Sequence, residues 1–211
     1  IDKNAADPNA YAGLAEGYIT LAHSLMPPDD VIPKALAAAK RAIQLDSINA
    51  EGWAALAHYH TYFGWDWDLA DYAFHKADEI NPNMAYNHYH RAWYLALFGR
   101  MDEAILEHKK AQEIDPFSTF HTGWLGFLYM MVEEYEKGIS EVDRALQMEE
   151  KDALGLFVKG TIFVKMGREK EGLLLLEKAG KINYGWKYMG QVLALFKIGH
   201  RKEAMRIIEE M

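Results

Sequence analysis

Small apolar side chains recur along this chain at a nearly constant interval. Alanines stand at 42, 77, 111, 145 and 179, separated by 35, 34, 34 and 34 residues. A second series, Ala70, Ala104, Gly138, Gly172 and Ala204, advances by 34, 34, 34 and 32. Larger apolar residues between these markers fall three and four apart, the spacing of one face of an α-helix. A period of 34 with helical spacing inside it predicts stacked pairs of antiparallel helices, none of which buries its apolar face alone. The small residues are required where the two helices of a pair approach closely. Gly64, Gly99, Gly167 and Gly199 mark one turn per unit, with Glu133 in the vacant slot.

Six hairpins follow from this layout, all α and forming a superhelical solenoid. Their helices are expected at about 9–23 with 32–46, 50–63 with 67–80, 84–98 with 102–114, 118–131 with 135–148, 153–166 with 169–182, and 185–198 with 201–211. Stop and start residues agree with these boundaries. Asp7-Pro8 reads as an N-cap followed by proline in the first turn. Asn81-Pro82 and Asp115-Pro116 each close one hairpin and open the next, because proline disfavours helix in the residue before it. Two irregularities break the period. Residues 23–30, His23 to Asp30, predict a connection about eight residues longer than its siblings, and such loops are either functional or tolerated insertions. Near Asn183-Tyr184-Gly185 the array is two residues short, which should tighten that junction.

Composition narrows the function without naming it. Half of the 211 residues are hydrophobic, so a substantial core is expected, and no apolar run approaches the roughly 20 residues of a membrane span. No cysteine is present, which removes disulfide and thiol chemistry and leaves the compartment open, with the cytoplasm slightly favoured. The opening Ile1-Asp2-Lys3-Asn4 and an end inside an apparent helix suggest a piece of a longer protein. Net charge is -8 and uneven: residues 157–211 carry 11 Lys+Arg against 6 Asp+Glu, while 1–156 carry 12 against 25. An acidic body repels phosphate, so nucleic acid is an unfavourable partner. The asymmetry is either solvated helix faces or a bipolar array that attracts a basic partner or a second copy.

The second unit has Trp53, Leu56, Ala57 and His60, then Gly64, Ala70, Phe74, Ala77 and Pro82. This resembles the tetratricopeptide repeat, in which Trp, Leu-Gly and Tyr are followed by Ala, an aromatic and Pro at the same offsets. Leu125, Gly126 and Tyr129 match again in the fourth unit, as do Ala104, Ala111 and Pro116 in the third. The resemblance covers nearly the whole chain. It implies a right-handed superhelix whose first helices line a concave groove for protein–protein recognition. The stretch Phe63-Gly64-Trp65-Asp66-Trp67-Asp68, with Glu79-Ile80-Asn81-Pro82-Asn83, is further similar to repeat arrays attached to bacterial signalling and transcription-regulator proteins. His60 departs from the expected Tyr. His88 and Arg91 occupy packing positions and must find polar partners, or each incurs a desolvation cost of about 1–3 kcal/mol.

The expected binding residues follow from the groove that the resemblance implies. A second stripe of each first helix would face it: Tyr86, Tyr89, Trp93 and Ala96 in the third unit, and Phe120, Phe127, Met130 and Met131 in the fourth. Phe157 continues the stripe in the fifth, with Trp186, Met189, Leu193 and Phe196 in the sixth. A helix apolar on both stripes is buried or is an interface; either tight curvature packs these residues against neighbouring units, or they form an aromatic, methionine-rich groove for an apolar peptide or helix. The expected site is Tyr86, Tyr89, Trp93, Phe120, Phe127, Met130, Phe157, Trp186 and Met189, with Tyr89, Trp93 and Phe127 as anchors. A cationic clamp for peptide carboxylates is not supported, since only Asn87 and Arg91 stand near the groove, whose first positions are Asn9, Ala12, Glu16, Glu51, Ala54, His58 and Tyr62.

The histidine pairs His58/His60 and His88/His90 are two apart, which points their rings away from each other on a helix. A shared ion wants spacing of three or four, so no metal is expected unless His58 meets His88 or His90 across units. Gly123-Trp124-Leu125-Gly126 lies inside a helix and is no phosphate loop; Asp66 and Asp68 read as caps. No catalytic constellation and no cofactor are expected. The sequence therefore points to a non-catalytic interaction scaffold with a protein or peptide partner. Its alternatives are a regulatory sensor domain with a compact pocket near Trp93, taking a small apolar ligand or its own effector domain, and a self-association module forming homodimers.

Overall fold

A computed structural model describes residues 6–209. Among these residues every regular element is helical. By contacts the chain divides at Gly99 into two compact units. The first contains α1 (Pro8–Ser24), α2 (Pro28–Leu45), α3 (Ala50–Tyr59), α4 (Trp67–Ile80) and α5 (Ala85–Leu97). The second contains α6 (Met101–Ile114), α7 (Thr119–Met131), α8 (Tyr135–Met148), α9 (Ala153–Lys165), α10 (Glu169–Ile182), α11 (Tyr184–Trp186), α12 (Leu193–Lys197) and α13 (Arg201–Glu209). In each unit a helix packs on its successor and each first helix on the next first helix: α1 on α3 and α3 on α5, then α7 on α9. This is the contact pattern of repeated hairpins.

The small residues occupy the second helices and face the first. Ala42, Ala70, Ala77, Ala104, Ala111, Ala145, Ala179 and Ala204 are all fully buried. Two hairpins go further and meet through glycine on both sides. A Cβ on Gly172 would lie 2.6 Å from the Gly160 carbonyl oxygen, and one on Gly138 would lie 3.2 Å from that of Gly126. Around these approaches the second unit builds a core of Val142, Val158, Ile162 and Leu176.

Caps set the helix starts. Asp7 accepts from the Asn9 and Ala10 amides, Asn49 from Gly52, Asp66 from Leu69, Ser118 from His121, and Asp152 from Leu154 and Gly155. The long first connection expected at residues 23–30 is not a loop. α1 extends to Ser24 and α2 begins at Pro28, leaving Leu25-Met26-Pro27 between them. Proline in the first turn and Asp29 and Asp30 beside the helix N-terminus favour that early start, so the extra residues lengthen both helices.

The phase errors of the repeat have a common cause. α3 runs on into a π segment, His60–Gly64, which adds one residue to the helix. The left-handed turn position is consequently Trp65 (φ 54), not Gly64. Counted from Trp65, the step to Gly99 (φ 71) is again 34. Gly64 serves close packing instead, since a Cβ there would lie 2.6 Å from both His60 Nδ1 and Tyr59 Cε1. The short step near residue 183 combines two changes. Asn183 alone joins α10 to α11, where residues 149–152 make a four-residue junction before α9, and a π segment at Lys187–Val192 returns one residue.

The glycines give opposite expectations. Gly172→Ala should destabilise the second unit by about 1–3 kcal/mol, because the new methyl meets backbone rather than a movable side-chain end. Gly13→Ala, with nothing within 4 Å of its Cβ position in the interior of α1, should stabilise by about 0.5–1 kcal/mol. Urea denaturation of both variants checks the pair.

Candidate functional site

The first unit gathers polar groups where its first helices lie side by side. Glu16 and His23 come from α1, His58 from α3, Tyr62 from the π segment, and Tyr86 and His90 from α5. His58 Nδ1 is 3.0 Å from Glu16 Oε2, and the Tyr86 hydroxyl donates to the same oxygen while also meeting His58 Nδ1. His58 Nε2 faces His23 Nε2 at 3.3 Å. One proton arrangement satisfies the set: His58 Nδ1–H donates to Glu16, and His23 Nε2–H donates to His58. The rings of His58 and His90 lie 3.7 Å apart by centroid, with Tyr86 4.3 Å from His90 and Tyr62 5.1 Å from His58. Burial, reinforced by Glu16, pushes the Tyr86 phenol far above its ordinary value, and burial raises Tyr62 and Tyr89 as well. These phenols remain neutral.

His58 and His90 thus meet across helices, as the sequence allowed. The described residues nevertheless contain no group of three His, Asp or Glu side chains arranged to hold a metal ion. The other departures from the repeat pattern also find partners. His88 Nε2 bonds the Pro82 carbonyl at 2.9 Å, and Arg91 lies 3.9 Å from Asp78 and 3.2 Å from His75. Asn87, buried, donates to the Phe74 carbonyl.

The second unit builds its first-helix face from aromatic rings. Trp124 and Phe127 of α7 touch at 5.2 Å, Phe127 stacks on Phe157 of α9 at 6.4 Å, and Phe157 stacks on Trp186 of α11 at 4.4 Å. Trp124 closes the cluster onto Trp186 at 6.3 Å. Gly190 makes room for it, since a Cβ there would lie 2.8 Å from Phe157 Cδ2.

The nine expected residues therefore divide. Met130 and Phe157, 6% and 5% exposed, are core. Phe127 and Trp186 are half-buried and pack against that core. Tyr86 is held by Glu16 and His58, while Tyr89 and Trp93 are half-buried on the same helix, α5. Phe120 and Met189 stand out at 46% and 53% exposure, as does Met131 at 48%. The apolar period revealed the stripe but not which of its members neighbouring helices cover. Glu16 and His58 were recognisable only as groove positions, because their bond joins residues 42 apart. An open depression on the last hairpin, lined by His200, Arg201, Met205 and Arg206 among others, is the shape of a surface and not of an enclosed ligand cavity.

No family model matches the chain. Over 150 residues, 69% of the chain, it is 29% identical to anaphase-promoting complex subunit 3 of Schizosaccharomyces pombe, of which it spans only 22%. Among solved structures it is similar to a tetratricopeptide repeat protein from Parabacteroides merdae, with a TM-score of 0.69 at 17% identity over 96% of this chain and 78% of that one. It is similar also to YrrB, a TPR protein with an unusual peptide-binding site, with a TM-score of 0.60 at 19% identity over 93% and 94%. The fold is the tetratricopeptide repeat. No helix of the described residues is long and apolar enough to cross a membrane.

Buried histidines give this tetratricopeptide chain a pH dependence. Burial lowers His23, His60 and His121 from the ordinary 6.5, and lowers His108, which bonds the His121 carbonyl at 2.8 Å, to about 4. Each binds a proton more weakly in the fold than in the unfolded chain, which takes up protons below about 6.5. Stability is thus complete above that pH and falls as the pH drops from 6.5 towards 4. His108 alone contributes up to about 3 kcal/mol to the fall. The urea midpoint should decrease between pH 7.5 and pH 5, and His108→Gln should make that decrease smaller.

Proposed function

We propose that the chain is a non-catalytic protein-interaction scaffold, and that the first-helix face of its second unit holds an apolar peptide or helix of a partner. The observation that carries this reading is the exposure of Phe120 against the packed cluster of Trp124, Phe127, Phe157 and Trp186, with Met189 exposed in the π segment that follows Trp186. The cluster supplies a rigid floor, and the exposed residues supply contact area that folding leaves uncovered. Likeness to YrrB, described as having a peptide-binding site, and to a subunit of a multi-protein complex supports the same class of function. Phe127 is the proposed anchor deeper in this face, and Tyr89 and Trp93, on α5, are the proposed anchors on the first unit's own first-helix face. Over residues 100–156 of this unit 13 acidic residues stand against 6 basic ones, which favours a partner with basic residues around its apolar segment.

Affinity capture from lysate with the wild type and with a Phe120→Lys, Met189→Lys double variant tests the proposal. Both substituted side chains reach solvent, so the variant should keep its helical circular dichroism and melting temperature. Loss of two apolar contacts should weaken the captured partner about 10- to 100-fold. Equal capture by both folded forms would remove this face as the binding site.

A further inference from the structure

The left-handed position after the π segment of the second hairpin is filled by a tryptophan. The equivalent positions in later turns are Gly99, Gly167 and Gly199, and Glu133 in one more. A bulky side chain at positive φ is strained, whereas glycine adopts that conformation without strain. Burial does not justify the tryptophan either, since Trp65 is 65% exposed. Strained exposed aromatics and π segments both concentrate at functional positions.

Trp65 does not stand alone. Its ring meets Trp67 edge-to-face at 5.4 Å, Trp67 meets Phe98 in the same way at 5.4 Å, and Phe98 packs on Tyr94 at 5.1 Å. Leu97 and Phe98 add 57% and 48% exposure beside them. The Tyr94 hydroxyl bonds the Trp67 carbonyl at 3.2 Å, which fixes the turn to α5. The result is an aromatic ledge on the turn side of the first unit. Between Phe63 and Phe74 the chain has Asp66, Asp68 and Asp71 and no Lys or Arg. Over residues 1–99 acids outnumber bases 12 to 6.

We infer that this ledge is a second docking surface, for a protein segment presenting a lysine or arginine between apolar side chains. The cation lies over the Trp65 face and near the Asp66 and Asp68 carboxylates, where ring quadrupole and negative charge act together. The flanking apolar residues cover Leu97 and Phe98. The surface is separate from the first-helix face of the second unit and requires nothing of it.

Nitrogen-15 spectra of the tryptophan indoles read the interaction directly. The probes are short acetylated and amidated peptides, identical except for a central Arg, Gln or Glu between leucines. The Arg peptide should shift the Trp65 and Trp67 indole signals, and added salt should weaken it. The Gln peptide should bind at least several-fold more weakly, and the Glu peptide more weakly still. Trp65→Gly should raise the urea midpoint or leave it unchanged while weakening the Arg peptide at least tenfold, and Asp68→Asn should weaken it several-fold at unchanged midpoint. Equal binding of the three peptides, absence of any indole shift, or full binding by Trp65→Gly would overturn the inference. So would indole shifts that follow protein concentration without peptide, which would make a second copy the occupant.

Discussion

The close approach of two helices within each hairpin is the constraint on which the rest of the molecule depends. It is enforced from the second helix, where alanine or glycine recurs at constant phase with no exposed surface. A methyl group is the largest side chain most of these positions accept. At Gly138 and Gly172 even that would press on backbone. Because the contact involves main chain, it cannot relax by rotating a side chain, so the spacing of the helices is held where softer contacts would let it drift. Each first helix is thereby set at a defined distance from its partner, and its other faces are left to meet the next first helix.

That geometry tolerates insertions only in certain places. An extra residue in the second hairpin appears as a π segment at the end of α3, and the deficit before α11 is partly offset by another at 187–192. In both cases the irregularity lies in a first helix. The second helices, α4 and α10, remain regular with their small residues in phase. A bulge there would rotate alanine out of the contact and bring a larger side chain into it. First helices accept the distortion because their outward faces are not confined by such a contact. The π segments therefore lie where side chains can be re-aimed without disturbing the hairpin, which is how Trp65 comes to occupy a turn position that is glycine in three later turns.

Most of the helical layout was legible in the sequence because the marker residues answer a local demand. Ala42 to Ala179 and Ala70 to Ala204 each report one contact, repeated. The caps Asp7 and Asp66 and the breaks at Asn81-Pro82 and Asp115-Pro116 are likewise local. What the period could not show was which residue absorbs a change of phase. Gly64 looked like the turn because glycine usually is, whereas the π segment moved the left-handed position to Trp65. Residues 23–30 looked like a loop because their length exceeded the repeat. Proline and aspartate at a helix start turned most of that length into helix. The site was less legible. Whether Phe157 or Phe120 reaches solvent depends on helices that follow much later in the chain, and spacing along one helix carries no information about them.

An apolar stripe at helical spacing has two destinations, and the structure separates them by what each ring touches. Phe157 lies between Phe127 and Trp186, so its area is already removed from water by folding. At about 25 cal/mol per Å² and 150–250 Å² per ring, that burial is worth several kcal/mol to the fold and is not available to a partner. Tyr86 is committed differently, through a hydroxyl shared between Glu16 and His58. Removing it would take one hydrogen-bond donor from Glu16 and a ring from beside His58 and His90, so its loss would register as instability whether or not it binds anything. Only residues such as Phe120 and Met189, whose area folding leaves uncovered, can contribute to recognition without first being withdrawn from the core. The binding face of a repeat protein is therefore defined less by the periodic apolar positions than by those positions at which the period fails to bury them.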